Sequence, residues 1–378
     1  MTGPLSGIRV LDLTRVLAGP FCTMMLGEQG AEIIKIETPK GGDDSRHIGP
    51  FVDGRSGYFM SINRGKKSIA LNLKATADRA HFERLLETAD VLVENYRGGT
   101  MEKLGYGWEA LRVRYPRLIY CAISGFGHTG PYATRPAYDM IVQAMSGVMS
   151  VTGYPGEPPA RVGVSVGDLV AGIYGAGAIQ GALFHREKTG ETQKLDISML
   201  DCQVSLLENA IAQAHVNGVP PGPLGARHPS IAPFGMFQAR DGYLAIAAGN
   251  DTLFQELCVT LGMTAEAADP RFASNPSRMD HVDALTAALN AALAAADRAH
   301  WFAKLEAAGI PCGPINNVAD VMADPQILAR NMIVRIEDPA GPFPTPGNPI
   351  KSSIFPDKST RPPAPALDEH RAEILGER

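Results

Sequence analysis

Short apolar runs recur along the first half of the chain, at residues 8–13, 32–37, 69–74, 91–94 and 118–124, and read as strands. Between them, residues 21–29 and 75–88 carry helical spacing. Val162, Val164 and Val166 alternate with small residues, a Gly-Asp pair follows, and residues 169–188 run without proline, rich in Ala, Gly, Ile and Leu. That pattern predicts a strand, a tight turn and a long buried helix. Repeated strand–helix alternation predicts an α/β fold: a Rossmann-like, doubly wound, mostly parallel sheet. Beyond residue 200 the texture changes. Residues 199–216 read as a helix and 217–227 as a Gly/Pro connection; 242–248 form a strand, and Ala/Leu-rich helices fill 253–309. The expected organisation is a large α/β domain over 1–200 completed by 330–378, a linker over 201–225, and a small α+β domain over 226–329. The tail is proline-rich to Pro365 and closes in a helix over 369–376.

At this length two domains are expected. A net charge of -5 argues against nucleic acid as a partner. The five cysteines are scattered, with no CxxC or Cys/His cluster, so neither disulfides nor a metal site is indicated. No signal peptide is visible and no apolar run approaches a bilayer's span, which predicts a cytoplasmic protein without a membrane partner. The first β-α turn lacks GxGxxG, so a nicotinamide-dinucleotide oxidoreductase is disfavoured; Gly175-Ala176-Gly177 reads instead as close helix packing.

Two features carry candidate chemistry. Loops after the strands present Arg64, Lys66, Lys67, Lys74, Arg97 and Lys103, cations suited to phosphates, although such runs also occur as plain solvated turns. Asp168 stands where the long helix begins. It serves there as an N-cap, or as an acyl-accepting nucleophile held ionised by the helix dipole, with the backbone amides of 167–169 available to an oxyanion. Spacing alone leaves both roles open.

A series of short motifs then adds to this reading: Val10-Leu11-Asp12-Leu13 with Ala18-Gly19-Pro20, Ile34-Lys35-Ile36-Glu37, Asn63-Arg64-Gly65-Lys66 and Val93-Glu94-Asn95-Tyr96-Arg97. It continues with Arg135-Pro136-Ala137-Tyr138-Asp139, Gln143-Ala144-Met145-Ser146-Gly147, Gly167-Asp168-Leu169, His185 to Gly190 and Gly309 to Pro314. In this order, over nearly the whole chain, they resemble the class III coenzyme A transferases, the family of formyl-CoA and carnitine-CoA transferases. The resemblance implies Asp168 as nucleophile and an interlocked homodimer of two-domain subunits. It implies CoA contacts at Val16, Leu17, Leu71, Asn72, Leu73, Lys74, Asn95, Tyr96, Arg97 and Lys103, with Tyr138 beside the pantetheine or thioester. CoA thioesters and carboxylic acids would be substrates, with no tightly bound cofactor and no metal. Formyl-CoA transferase has Gln where this chain has Leu17, and glycines where it has Gly225 to Pro229. The stretches 228–233, 249–251 and 313–317 look more like the succinyl-CoA-dependent dicarboxylate branch, with Arg227 or His228 meeting a distal carboxylate. An α-methylacyl-CoA racemase is the rival within the family. It is disfavoured because Tyr138 stands where that branch has His, and an unperturbed Tyr is a poor base. A CoA-binding protein without turnover is the rival outside it.

Overall fold

The structure is a computed structural model describing residues 2–339 and 341–377. The chain divides into two compact units: Met1–Ser150, Pro159–Pro221 and Pro325–Arg378 form the first, Val151–Pro158 and Gly222–Asp324 the second.

In the first unit, strands β1 (Arg9–Asp12), β2 (Glu32–Glu37), β3 (Lys67–Ala70), β4 (Val91–Glu94), β5 (Ile119–Ser124) and β6 (Lys194–Ser198) form one sheet in the order β3-β2-β1-β4-β5-β6. Every pairing in it is parallel. The chain winds outward from β1 to β3, then returns to the other side of β1 at β4. That reversal makes a topological switch point between β1 and β4. Side chains of successive residues point to opposite faces, and both faces are covered. Val10, Val91, Val93, Ile119, Cys121 and Ile123 pack towards helices α1 (Ala18–Glu28) and α5 (Val166–Thr189). Leu11, Ile34, Ile36, Ile69, Leu92 and Tyr120 pack with Phe82, Leu85 and Leu86 of α3 (Thr76–Leu86). Double burial is why these strands read as continuous apolar runs. Helices α2 (Gly57–Asn63), α4 (Asp139–Ser146), α6 (Met199–Val204) and α7 (Glu208–Asn217) also belong to this part. The stretch 201–225, expected as a linker, is therefore helical through most of its first seventeen residues, 201–217.

Several expectations for the chain before Asp168 are overturned. Residues 161–165 form no strand. The Val162 amide donates to Gln143 Oε1 (2.9 Å), and the Arg161 guanidinium takes the carbonyls of Val162 and Gly163 (3.0 and 2.9 Å), so side chains satisfy the groups a ladder would use. Helix α5 begins at Val166 with Ser165 as N-cap, which places Asp168 inside the first turn. At 24 residues, α5 is also long and apolar enough to cross a membrane, the one such helix among the described residues. Its apolar composition serves core packing instead: Ala171, Gly172, Gly175, Ala176, Ile179 and Ala182 are buried. A Cβ on Gly172 would lie 2.8 Å from the Ala18 carbonyl oxygen, and one on Gly175 would lie 3.0 Å from Ile123. Gly177 makes no such approach.

The second unit holds an antiparallel hairpin, β7 (Phe234–Ala239) and β8 (Gly242–Ala247), with β9 (Cys312–Pro314) added antiparallel to β8. Helices α8 (Asp251–Leu261), α9 (Val282–Leu293) and α10 (Arg298–Ala307) close a core around Leu244, Ile246, Phe254, Leu289 and Trp301. The chain then returns to the first unit through β10 (Ile333–Asp338), β11 (Gly341–Pro346) and β12 (Thr360–Arg361), ending in α11 (Arg371–Leu375), shorter than expected. This return covers the edge of β3: the His370 amide donates to the Ser68 carbonyl (3.0 Å), and Asp368 accepts from the Ala70 amide (2.7 Å). All five cysteines are free.

Candidate active site

The loops leaving β1 and β4 meet at the switch point and are tied to each other. Asn95 Oδ1 accepts from the Arg15 amide and Asn95 Nδ2 donates to the Arg15 carbonyl, both at 2.8 Å. Glu94, buried at the end of β4, accepts from the Tyr96 amide (2.7 Å) and the Tyr120 hydroxyl (2.9 Å). Burial pushes its carboxyl up to about 7, against the pull of those two bonds. On the β1 side, Asp12 is fully buried and accepts from Thr14, Thr23 and Lys66. Burial alone would raise its carboxyl, but Lys66 and Lys35 hold it far below the usual range. The next residues are pinned one by one. Lys35 donates to the Thr14 carbonyl (2.8 Å) and pairs with Asp43 (2.8 Å), while Asp43 Oδ1 accepts from the Val16 amide (3.0 Å). Val16 has φ of +66°, a left-handed conformation costly for a β-branched residue.

Asp168 comes to the same place from α5. Burial, and then the neighbouring Asp139 carboxylate, raise the Asp168 carboxyl to about 7, against the smaller pull of the Ala18 amide, first in α1. The expectation of a carboxylate held fully ionised by the helix dipole is thus outweighed by desolvation and a like charge. The amides of the turn also differ from expectation. That of Gly167 is taken by Asp139 Oδ1 (2.9 Å) and that of Leu169 by the Ser165 carbonyl (3.0 Å). Glycine at 167 is dictated by proximity, since a Cβ there would lie 2.3 Å from Gln203 Nε2.

A cavity of about 250 Å³ opens on this spot, lined by Val16, Leu17, Asn95, Tyr96, Arg97, Tyr138 and Asp168. A second, of about 370 Å³, is lined by Leu71, Asn72, Leu73 and Lys74; Arg15 and Tyr96 line both. Eleven residues singled out from the sequence therefore gather around two adjoining cavities. Lys103 is exposed on a short helix and lines neither. Arg227 and His228 lie in the second unit, where Arg227 pairs with Asp283 (3.0 Å) and His228 Nδ1 accepts from the Ser230 amide (3.0 Å). Three of the proposed phosphate cations are spent on structure. Arg64 is buried against Glu28 (2.8 Å), Lys66 against Asp12 (2.9 Å), and Lys67 pairs with Glu32 and Glu373 (2.7 Å each). Sequence reasoning gave no role to Arg15, Asp43 or Arg135. Arg135 and Asp139 appeared only within a motif.

Residues 5–371 match CoA-transferase family III. The chain is 48% identical to an acetyl-CoA:oxalate CoA-transferase of Acetobacter aceti, over 99% of this chain and 96% of that one. It is 43% identical to a succinate–glutarate CoA-transferase of Agrobacterium fabrum, over 99% and 95%. Among solved structures, a CaiB/BaiF family protein from Brucella suis superimposes with a TM-score of 0.88 at 41% identity, over the whole of both chains. With the motifs, the switch-point cavity and these relatives pointing one way, the chain belongs to CoA-transferase family III and is an enzyme that transfers CoA.

Proposed function

We propose that the enzyme moves CoA from a short acyl-CoA to a small dicarboxylate, with Asp168 as the nucleophile. The single observation carrying this is the position of the Asp168 carboxylate: in the switch-point cavity, at the first turns of both α1 and α5. The Asp168 carboxylate attacks the donor thioester carbonyl, the C–S bond breaks, and CoA thiolate leaves a mixed anhydride. The thiolate then attacks the aspartyl carbonyl, giving an aspartyl-CoA thioester and releasing the donor acid as carboxylate. The acceptor carboxylate reverses both steps. Each step exchanges one acyl bond for another, which is what a carboxylate nucleophile contributes.

The resemblance supports the rest. The CoA moiety would run along Leu71, Asn72, Leu73 and Lys74, past Tyr96, to a thioester beside Leu17 and Tyr138, with Lys103 at its outer end. Arg97 and Arg135, both exposed and both lining the Asp168 cavity, supply positive charge for anionic substrate groups. The dicarboxylate acceptor follows the relatives whose names contain oxalate and glutarate. We also propose a homodimer, from exposed apolar side chains on α4, α5 and α7. The test is incubation with succinyl-CoA or acetyl-CoA followed by hydroxylamine. A hydroxamate at Asp168, found by mass spectrometry, supports the mechanism; full exchange activity in Asp168→Ala overturns it. α-Carbon deuterium exchange on a 2-methylacyl-CoA would instead reveal a racemase.

A further inference from the structure

The strained residue beside the nucleophile needs a holder, and the structure contains one. Val16 lies two residues before Ala18, and its φ of +66° sets the direction in which the chain enters α1. Left to itself, a valine would relax to negative φ. What opposes this is the bond from its amide to Asp43 Oδ1 (3.0 Å). Asp43 is itself over-determined: it is buried, accepts from the Ser45 amide (2.9 Å) and hydroxyl (2.8 Å), donates its own amide to Glu37 (2.9 Å), and pairs with Lys35 (2.8 Å). Lys35 is fully buried and also grips the Thr14 carbonyl, two residues before Val16. The pair thus holds the loop from both sides of Arg15.

We propose that the buried Lys35–Asp43 ion pair is a positioning element for acyl transfer: it holds Val16 left-handed, and that turn delivers the Ala18 amide to the Asp168 carboxylate. This rests on Asp168 as nucleophile. The arrangement explains why two charges are kept out of water where apolar residues of similar size would pack as well. It also explains why a valine tolerates a conformation that glycine adopts freely.

The test uses Asp43→Ala together with the double variant Lys35→Met/Asp43→Leu. The double variant removes both charges and the acceptor for Val16 without leaving a buried ion unpaired, so it keeps the test available if the single variant does not fold. For the folded variant, judged by circular dichroism, kcat should fall about tenfold to a hundredfold. The KM for acyl-CoA should move by less than about threefold. Adding Val16→Gly in that background should recover most of the lost kcat, because glycine reaches the left-handed region unaided. Melting temperatures taken alongside separate positioning from stability: kcat measured where every variant is fully folded should still fall and still recover. Unchanged kcat in the double variant, or no recovery on adding glycine, overturns the positioning role. Failure to trap an adduct on Asp168 in the unsubstituted enzyme overturns the nucleophile itself, a separate result.

Discussion

Asp168 carries the sharpest consequence of its surroundings. On the proposed mechanism only the ionised carboxylate attacks a thioester, and burial with Asp139 alongside raises its carboxyl to about 7. In the free enzyme, kcat/KM for acyl-CoA should therefore fall about tenfold per pH unit below roughly pH 7 and level off above it. A raised basicity also makes the ionised fraction a stronger nucleophile, so the shift costs population and gains reactivity. The same shift bears on stability. The folded protein binds the proton more tightly than the unfolded chain, so the penalty is absent below the ordinary carboxyl range near 4. It grows as pH rises and is complete above about 7. Asp168→Asn should then melt several degrees higher than the unsubstituted protein at pH 8 and at nearly the same temperature at pH 4, measured by calorimetry. Much of this residue's importance was legible in sequence, because a Gly-Asp pair before a long apolar helix marks a helix entrance. Its ionisation was not. That depends on Asp139, twenty-nine positions away, and on an amide of another helix.

At the scale of elements, α1 and α5 form one instrument: the first turn of each contributes to the Asp168 environment, and their spacing is set by glycine. Gly172→Ala would place a Cβ 2.8 Å from the Ala18 carbonyl oxygen and 2.9 Å from Phe21, and a backbone oxygen cannot swing aside. We expect a loss of about 1–3 kcal/mol in urea unfolding, despite alanine's better helix propensity. Exchange activity should fall too, because α1 can yield only by moving Ala18 relative to Asp168. The parallel sheet and the small-residue helix were readable because both obey short-range periodicities. The ends of elements were not. The run Val162, Val164 and Val166 has strand period, yet Gln143, nineteen positions away, takes the Val162 amide and neighbouring Arg161 takes two of its carbonyls, side-chain choices invisible to periodicity. Likewise, Arg64 and Lys66 look like loop cations until Glu28 and Asp12 are seen beneath them. The cavity residues were reached through a family's motifs; alternation alone would have located only the strand ends on which they sit.

For the molecule as a whole, the exposed faces bear on assembly. Ile173, Tyr174 and Phe184 are about half exposed or more, with Gly177 and Gly181 between them on the outer side of α5. Met140, Ile141 and Met145 on α4, and Ile211 and Val216 on α7, are exposed as well. A lone surface leucine or valine needs no explanation, but apolar residues repeated along three helices are the kind of surface a partner covers. Glycines between them let another backbone approach closely. A second copy of the chain is the occupant that would explain this without any additional partner, and the self-complementary contact of a two-fold dimer would bury each face once. Light scattering behind size exclusion should give twice the mass of one chain at micromolar concentration. Gly177→Glu combined with Ile173→Glu, which puts two charges on that face while leaving the buried side of α5 intact, should lower the mass towards that of a single chain. Retention of the full dimer mass in the double variant would mean that this face of α5 lies outside the contact, and a single-chain mass for the unsubstituted protein would remove the dimer altogether.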